Sequence, residues 1–150
     1  TARKLVRDGY EFIWYWVGDG VMMEDMKAMI EKNHLSEQVS LLGNRKNPYP
    51  YIQMCDIYVQ PSYYEAYCTT TLEAQVLEKP IVVTDVPGMR EQFGEEEGKI
   101  VPVDSEKICA AIEELIDHPI TCKQMSEKLH EKMYTEDHTL DGYYRLFDQE

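Results

Sequence analysis

Hydrophobic and polar positions change period several times along the chain. Residues 12–17, Phe-Ile-Trp-Tyr-Trp-Val, make an unbroken apolar run that ends at Gly18-Asp19-Gly20, the pattern of a buried strand entering a tight turn. Over 22–34 the period becomes helical. Met22, Met23, Met26, Met29 and Ile30 recur on one face while Glu24, Asp25, Lys27 and Glu31 take the other, which predicts a helix with a methionine stripe in the core. Val39–Gly43 reads as a second short strand, 50–55 as a short helix, 56–62 as a third strand stopped at Pro61, and 69–79 as a helix. A fourth strand is expected over 80–85, where the near-continuous run Ile81-Val82-Val83 suits a parallel strand covered on both faces. Gly88 breaks the chain before a short helical turn near Glu91, and a fifth strand follows over 100–103. Residues 105–117 carry Ile108, Ile112, Leu115 and Ile116 on one helical stripe that ends at Pro119, with further helices over 121–134 and 137–148.

Strands alternating with helices predict an α/β domain of Rossmann-like, three-layer type with a parallel sheet of about five strands joined by right-handed crossovers. Such a sheet binds ligands at the carboxyl ends of its strands, so function is expected in the loops after residues 17, 43, 62 and 85. The 150 residues suffice for one domain whose core needs neither metal nor disulfide. With 15 Lys+Arg against 28 Asp+Glu the formal charge is −13, which disfavours nucleic acid and anionic lipid as partners. The longest apolar run, Phe12–Val17, falls far short of the roughly 18 to 20 residues of a membrane span, and no membrane insertion or export leader is expected of this segment. Cys55, Cys68, Cys109 and Cys122 lack CxxC spacing and read as reduced thiols of a cytoplasmic protein. His34, His118, His130 and His138 share no ligand spacing, so no metal is expected.

The loop after Ser62 carries the densest chemistry. Glu65 and Glu73 flank Thr69, Thr70 and Thr71. A helix starting near Thr69 would turn its unpaired N–H groups and its positive end toward the binding edge, a seat for phosphate. An ionised carboxylate on either side can accept two hydrogen bonds from a vicinal diol. The same residues also fit a capping box, with Thr69 or Thr70 as N-cap and Glu73 as its partner. Gly18-Asp19-Gly20 lacks the third glycine of a dinucleotide fingerprint and reads as a strand-to-helix turn bordering the cleft. Cys68 reads as a small loop residue, Tyr63, Tyr64 and Tyr67 as loop packing, and Glu95-Glu96-Glu97 as a solvated turn.

The succession Pro61-Ser62-Tyr63-Tyr64-Glu65, Leu72-Glu73-Ala74, Lys79-Pro80-Ile81-Val82-Val83-Thr84, Gly88 and Glu91 resembles the C-terminal half of family 4 glycosyltransferases, and Gly18-Asp19-Gly20 and Leu42-Gly43 match as well. The likeness covers nearly the whole chain and is greatest to enzymes that build bacterial capsular or exopolysaccharides. It implies the C-terminal half of a GT-B fold, which binds a nucleotide-sugar donor, in a retaining, metal-independent enzyme that moves a hexose onto a polysaccharide or glycolipid. By resemblance, Glu73 would bind the ribose hydroxyls and Glu65, the catalytic candidate, the donor sugar. The amides of Cys68, Thr69 and Thr70 would meet the diphosphate, the loop Gly43-Asn44-Arg45 would border the base, Gly18 would line the cleft, and Glu91 would face the transferred sugar. The expected donor is a UDP- or GDP-sugar, and the expected partner is an N-terminal acceptor domain, absent here together with the first strand of this domain and its basic residues. Residues 1–150 would then be a partial nucleotide-sugar-binding domain, inactive alone, prone to self-associate through the vacant sheet position, and part of a cytoplasmic protein at the inner face of the membrane. Ala66, Cys68 and Glu78 stand where the family commonly has glycine, and a Cβ at 66 or 68 would crowd the phosphate approach. The alternative is a non-catalytic nucleotide- or sugar-binding module that partners another chain.

Overall fold

The computed structural model describes residues 1–94 and 96–132; the helix expected over 137–148 lies outside the described residues. In chain order the elements are α1 (Ala2–Arg7), β1 (Trp14–Val17), α2 (Met23–Lys32), β2 (Val39–Gly43), α3 (Tyr49–Met54), β3 (Tyr58–Gln60), α4 (Thr69–Val76), β4 (Ile81–Thr84), α5 (Pro87–Arg90), β5 (Lys99–Val101), α6 (Ser105–Asp117) and α7 (Pro119–His130). All strand pairs are parallel, in two ladders: β1 beside β2, and β3-β4-β5 with β4 in the middle. The fold is therefore the expected Rossmann-like α/β arrangement, with its five strands divided two and three.

β4 shows why its run is so apolar. All four of its residues are buried, and their side chains alternate between two cores, as the period of a strand requires. Ile81 and Val83 join Ile52, Cys68, Ala74, Val86, Met89, Phe93 and Leu129 on one face. Val82 joins Leu5, Ile108, Cys109, Ala111, Ile112, Leu115 and Met125 on the other. Helices α3, α4 and α5 thus cover one face of the ladder, α1 and α6 the other, and α7 reaches both through Leu129 and Met125. The stripe on α6 is the deepest helical contribution, and its start is fixed by Asp104, which accepts from the N–H groups of Glu106 at 2.8 Å and Lys107 at 3.0 Å.

Several local expectations are corrected. The methionine stripe of α2 is not core: no residue of this helix is buried, and Met26, Met29 and Ile30 line an open apolar cleft of about 220 Å³ with Trp14, Trp16 and Pro61. α4 stops at Val76 rather than at 79 because Glu78 adopts φ +55°, the left-handed conformation that ends a helix and favours glycine. Glu78 is thus a helix-terminating residue, remote from any phosphate approach. α7 begins at Pro119, which suits a first helical position. Glu97 is not solvated: its carboxylate accepts from the Gly94 N–H and pairs with Lys132.

Candidate functional site

The site grows from the carboxyl end of β3. Along an alternating strand, Tyr58, Gln60 and Ser62 share one side, and their polar ends form a chain. The Tyr58 hydroxyl donates to Gln60 Oε1 at 2.9 Å, Gln60 Nε2 donates to Ser62 Oγ at 3.0 Å, and the Ser62 hydroxyl donates to Glu65 Oε1 at 2.8 Å. Thr84, at the end of the neighbouring strand, donates to the Ser62 carbonyl. Glu65 is consequently held at the sheet edge as an acceptor. Burial pushes the Tyr58 phenol up to about 12, against the lowering effect of the Thr70 hydroxyl, so it stays a donor at neutral pH.

The next loop is clamped by the segment after β4. Gly88 donates its N–H to the Glu65 carbonyl at 3.1 Å. A Cβ at Gly88 would stand 2.5 Å from the carbonyl oxygens of both Glu65 and Ala66, so the two backbones can meet only because residue 88 has no side chain. Glu91 is exposed just past α5. Its neighbour Gln92 is buried, and its carboxamide engages the Cys68 peptide on both sides.

Cys68 is the N-cap of α4 and makes no side-chain cap bond, so the capping box is not formed. Instead the Thr71 hydroxyl lies 2.7 Å from the Cys68 carbonyl oxygen. Because the Cys68 N–H is engaged by Gln92, the expected three-amide phosphate seat narrows to Thr69 and Thr70. Both are exposed in the first turn, where amides have no intrahelical acceptor. Cys68 has φ −103°, open to any residue, and its buried side chain joins the core, so a glycine is not needed there and its Cβ does not crowd the seat.

Glu73 lies one turn further along α4. Its Oε1 accepts from the Tyr49 hydroxyl at 3.4 Å, while its Oε2 is buried and without a hydrogen-bond partner. A buried carboxylate oxygen left unpaired is costly unless something arrives to donate to it. Tyr49 opens α3, so this contact brings the loop 43–48 to the same site. Gly43, at φ +68°, accepts through its carbonyl from the Gly18 N–H at 2.9 Å, which joins the loops after β1 and β2. Asn44 is exposed beside it, and Arg45 stacks 5.9 Å from the Tyr51 ring centroid.

The structure therefore brings Glu65, Thr69, Thr70, Glu73 and the 43–49 loop to the carboxyl ends of β2 and β3. Tyr63 and Tyr64 are 88% and 76% exposed, and Tyr67 is exposed too, so these rings do not pack the loop as expected. Sequence reasoning missed Gln60, Tyr49 and Gln92. Only Gln60 left a signal, a polar residue alternating with Tyr58 and Ser62 in an otherwise apolar strand. Among the described residues no three His, Cys, Asp or Glu side chains gather as a metal site, and no helix is long and apolar enough to cross a membrane. Chemically, the arrangement offers two carboxylates for hydroxyl groups and a helix N-terminus for an anion between them.

Comparison with known proteins gives this geometry a context. The family described as "Glycosyl transferases group 1" matches residues 2–132. The N-acetylgalactosamine-N,N'-diacetylbacillosaminyl-diphospho-undecaprenol 4-alpha-N-acetylgalactosaminyltransferase of Campylobacter jejuni is 36% identical over 92 residues, 60% of this chain and 25% of that protein. The alpha-D-kanosaminyltransferase of Streptomyces kanamyceticus is 27% identical over 131 residues, 85% of this chain and 34% of that one. The chain thus spans about a quarter to a third of the length of these relatives. Among solved structures, S. aureus TarM superposes with TM-score 0.86 at 19% identity over 98% of this chain and 30% of its own. Anabaena HepE in complex with UDP gives 0.77 at 18% identity over 85% and 38%.

Proposed function

The chain belongs to the glycosyl transferases group 1 family, and from that premise we propose that it is the donor-binding part of a retaining, metal-independent enzyme that transfers a hexose from a UDP- or GDP-sugar to a polysaccharide or glycolipid acceptor. The observation that carries this reading is the unpaired, buried Oε2 of Glu73, one helical turn from the free amides of Thr69 and Thr70. A nucleoside diphosphate supplies what each group lacks. Its ribose hydroxyls donate to Glu73, and its phosphate oxygens accept from the two amides at the positive end of α4. Base contacts fall to the loop Gly43-Asn44-Arg45, reached through Tyr49, with Gly18 alongside.

The transferred sugar lies on the side of Glu65 and Glu91. Glu65, fixed by Ser62, accepts from a sugar hydroxyl and keeps the anomeric carbon facing the acceptor. As the bond from that carbon to the diphosphate oxygen breaks, negative charge grows on the leaving group, and the α4 dipole and amides stabilise it without reorganising. The remaining positive charge is assigned to an upstream segment of a longer protein working at the cytoplasmic face of the membrane. Two features support a first strand and an acceptor-binding domain beyond these residues. Among the described residues β1 and β3 each keep one edge unpaired, with Trp14, Trp16 and Pro61 around one cleft, and the relatives are about two and a half times as long.

Saturation-transfer NMR of the protein with UDP, GDP, ADP and their hexose conjugates tests this reading. Signal for a uridine or guanosine diphosphate that disappears in Glu73→Ala is expected. Equal signal from all the nucleotides, or signal unchanged in Glu73→Ala, contradicts it.

A further inference from the structure

We propose that Gln92 is the positioning residue of the diphosphate seat; this rests on the donor-site reading above. The residue is 7% exposed, and its carboxamide lies along the Cys68 peptide, with Nε2 donating to the Cys68 carbonyl at 3.0 Å and Oε1 accepting from the Cys68 N–H at 3.3 Å. The same Oε1 is 3.0 Å from the Thr71 hydroxyl, whose single proton is shared between it and the Cys68 carbonyl. Helices usually fix their first turn with a Ser, Thr, Asp or Asn at the N-cap. The N-cap of α4 is a cysteine whose side chain makes no such bond. A side chain from 24 residues away takes over the task, gripping the N-cap peptide from outside the helix.

The consequence reaches the two amides assigned to phosphate. Rotation of the Cys68 peptide swings the Thr69 N–H, and then the Thr70 N–H, off their common direction, and binding tightness depends on donors being aimed before the ligand arrives. Gln92 leaves the seat's own Cys68 N–H unavailable to phosphate and in exchange makes its neighbours rigid. Its segment also holds the other end of the same loop, through the Gly88 N–H on the Glu65 carbonyl. Residues 88–92 therefore register the sugar-side carboxylate and the phosphate-side amides against each other.

The test is Gln92→Met, which keeps length and volume and removes both hydrogen-bonding ends. Affinities for UDP and uridine, or GDP and guanosine, are measured by NMR titration beside amide exchange of the ligand-free protein. The expected result is a loss of about tenfold for the diphosphate with the nucleoside unchanged, and faster exchange at Cys68 to Leu72 with Ile81–Thr84 still protected. Thr71→Val, which removes only the shared proton, gives the same selectivity at smaller size and serves if Gln92→Met does not fold. Equal losses for diphosphate and nucleoside, or an unchanged diphosphate affinity, overturn the positioning role. An unsubstituted protein that binds neither UDP nor GDP overturns the donor-site reading itself, a result visible before any substitution is made.

Discussion

The β3-β4-β5 ladder and the β1-β2 ladder are written in similar residues and treated very differently by the fold. β4 is Ile-Val-Val-Thr and wholly buried, with strands on both edges and helices on both faces. β1 is Trp-Tyr-Trp-Val, equally unbroken, yet Tyr15, Trp16 and Val17 are 40%, 37% and 36% exposed. Its covering helix α2 buries no residue. An apolar run therefore reports the capacity of a strand to be covered, and neighbours decide whether it is. The candidate site follows the better-packed half. Glu65, the first turn of α4 and Gln92 all hang from elements packed on β4, so their geometry is set by a core with little freedom to shift.

The sharpest way to press this contrast is to cut side chains from both halves. Ile81→Ala should lower stability by about 3 to 4 kcal/mol, as for a fully buried aliphatic side chain, while Val17→Ala should cost under about 1 kcal/mol; urea unfolding followed by far-UV circular dichroism compares them. Equal losses would erase the distinction between the halves. Next in size, Gly88→Ala places a Cβ against the Glu65 and Ala66 carbonyls and should cost about 2 to 3 kcal/mol. It should also weaken nucleotide-sugar binding by displacing Glu65, whereas Gly20→Ala, with open space around it and no left-handed backbone, should leave the loop after β3 in place.

A smaller effect is expected from Tyr58, whose folded pKa stands near 12 against an ordinary 10. The folded chain holds this proton more tightly than the unfolded chain. The resulting stabilisation is complete below pH 10 and is lost as pH rises through 12, with a size below about 2 kcal/mol. Subtracting the stability of Tyr58→Phe from that of the parent between pH 9 and 12 isolates the slope, and a flat difference would mean that Tyr58 is not effectively buried.

Much of this was legible in advance. Period changes located all five strands and the helices among them, because a strand's alternation and a helix's stripe follow from burial on one side or two. The likeness of Pro61–Glu65 and Leu72–Ala74 to a known family pointed at the sheet edge where the fold gathers Glu65, Thr69, Thr70 and Glu73. What stayed hidden depended on contacts between distant segments. No local pattern distinguishes a methionine stripe that is covered from one that borders a cleft. Nothing in Glu91-Gln92-Phe93 announces that Gln92 reaches Cys68, and a Thr-rich helix start looks like a capping box until the N-cap proves to be the cysteine. Glu78 was legible only as a departure from glycine, and the backbone supplies the reason, a left-handed residue ending α4.

The central claim is that the donor sits at the carboxyl ends of β2 and β3 between Glu73 and Glu65. Mapping backbone amide chemical-shift changes on titration with UDP and GDP tests it most directly. The account predicts the largest changes at Thr69, Thr70 and Glu73, smaller ones at Gly43 to Tyr49, and none along α6. Changes centred instead on the Trp14–Trp16 cleft would contradict it.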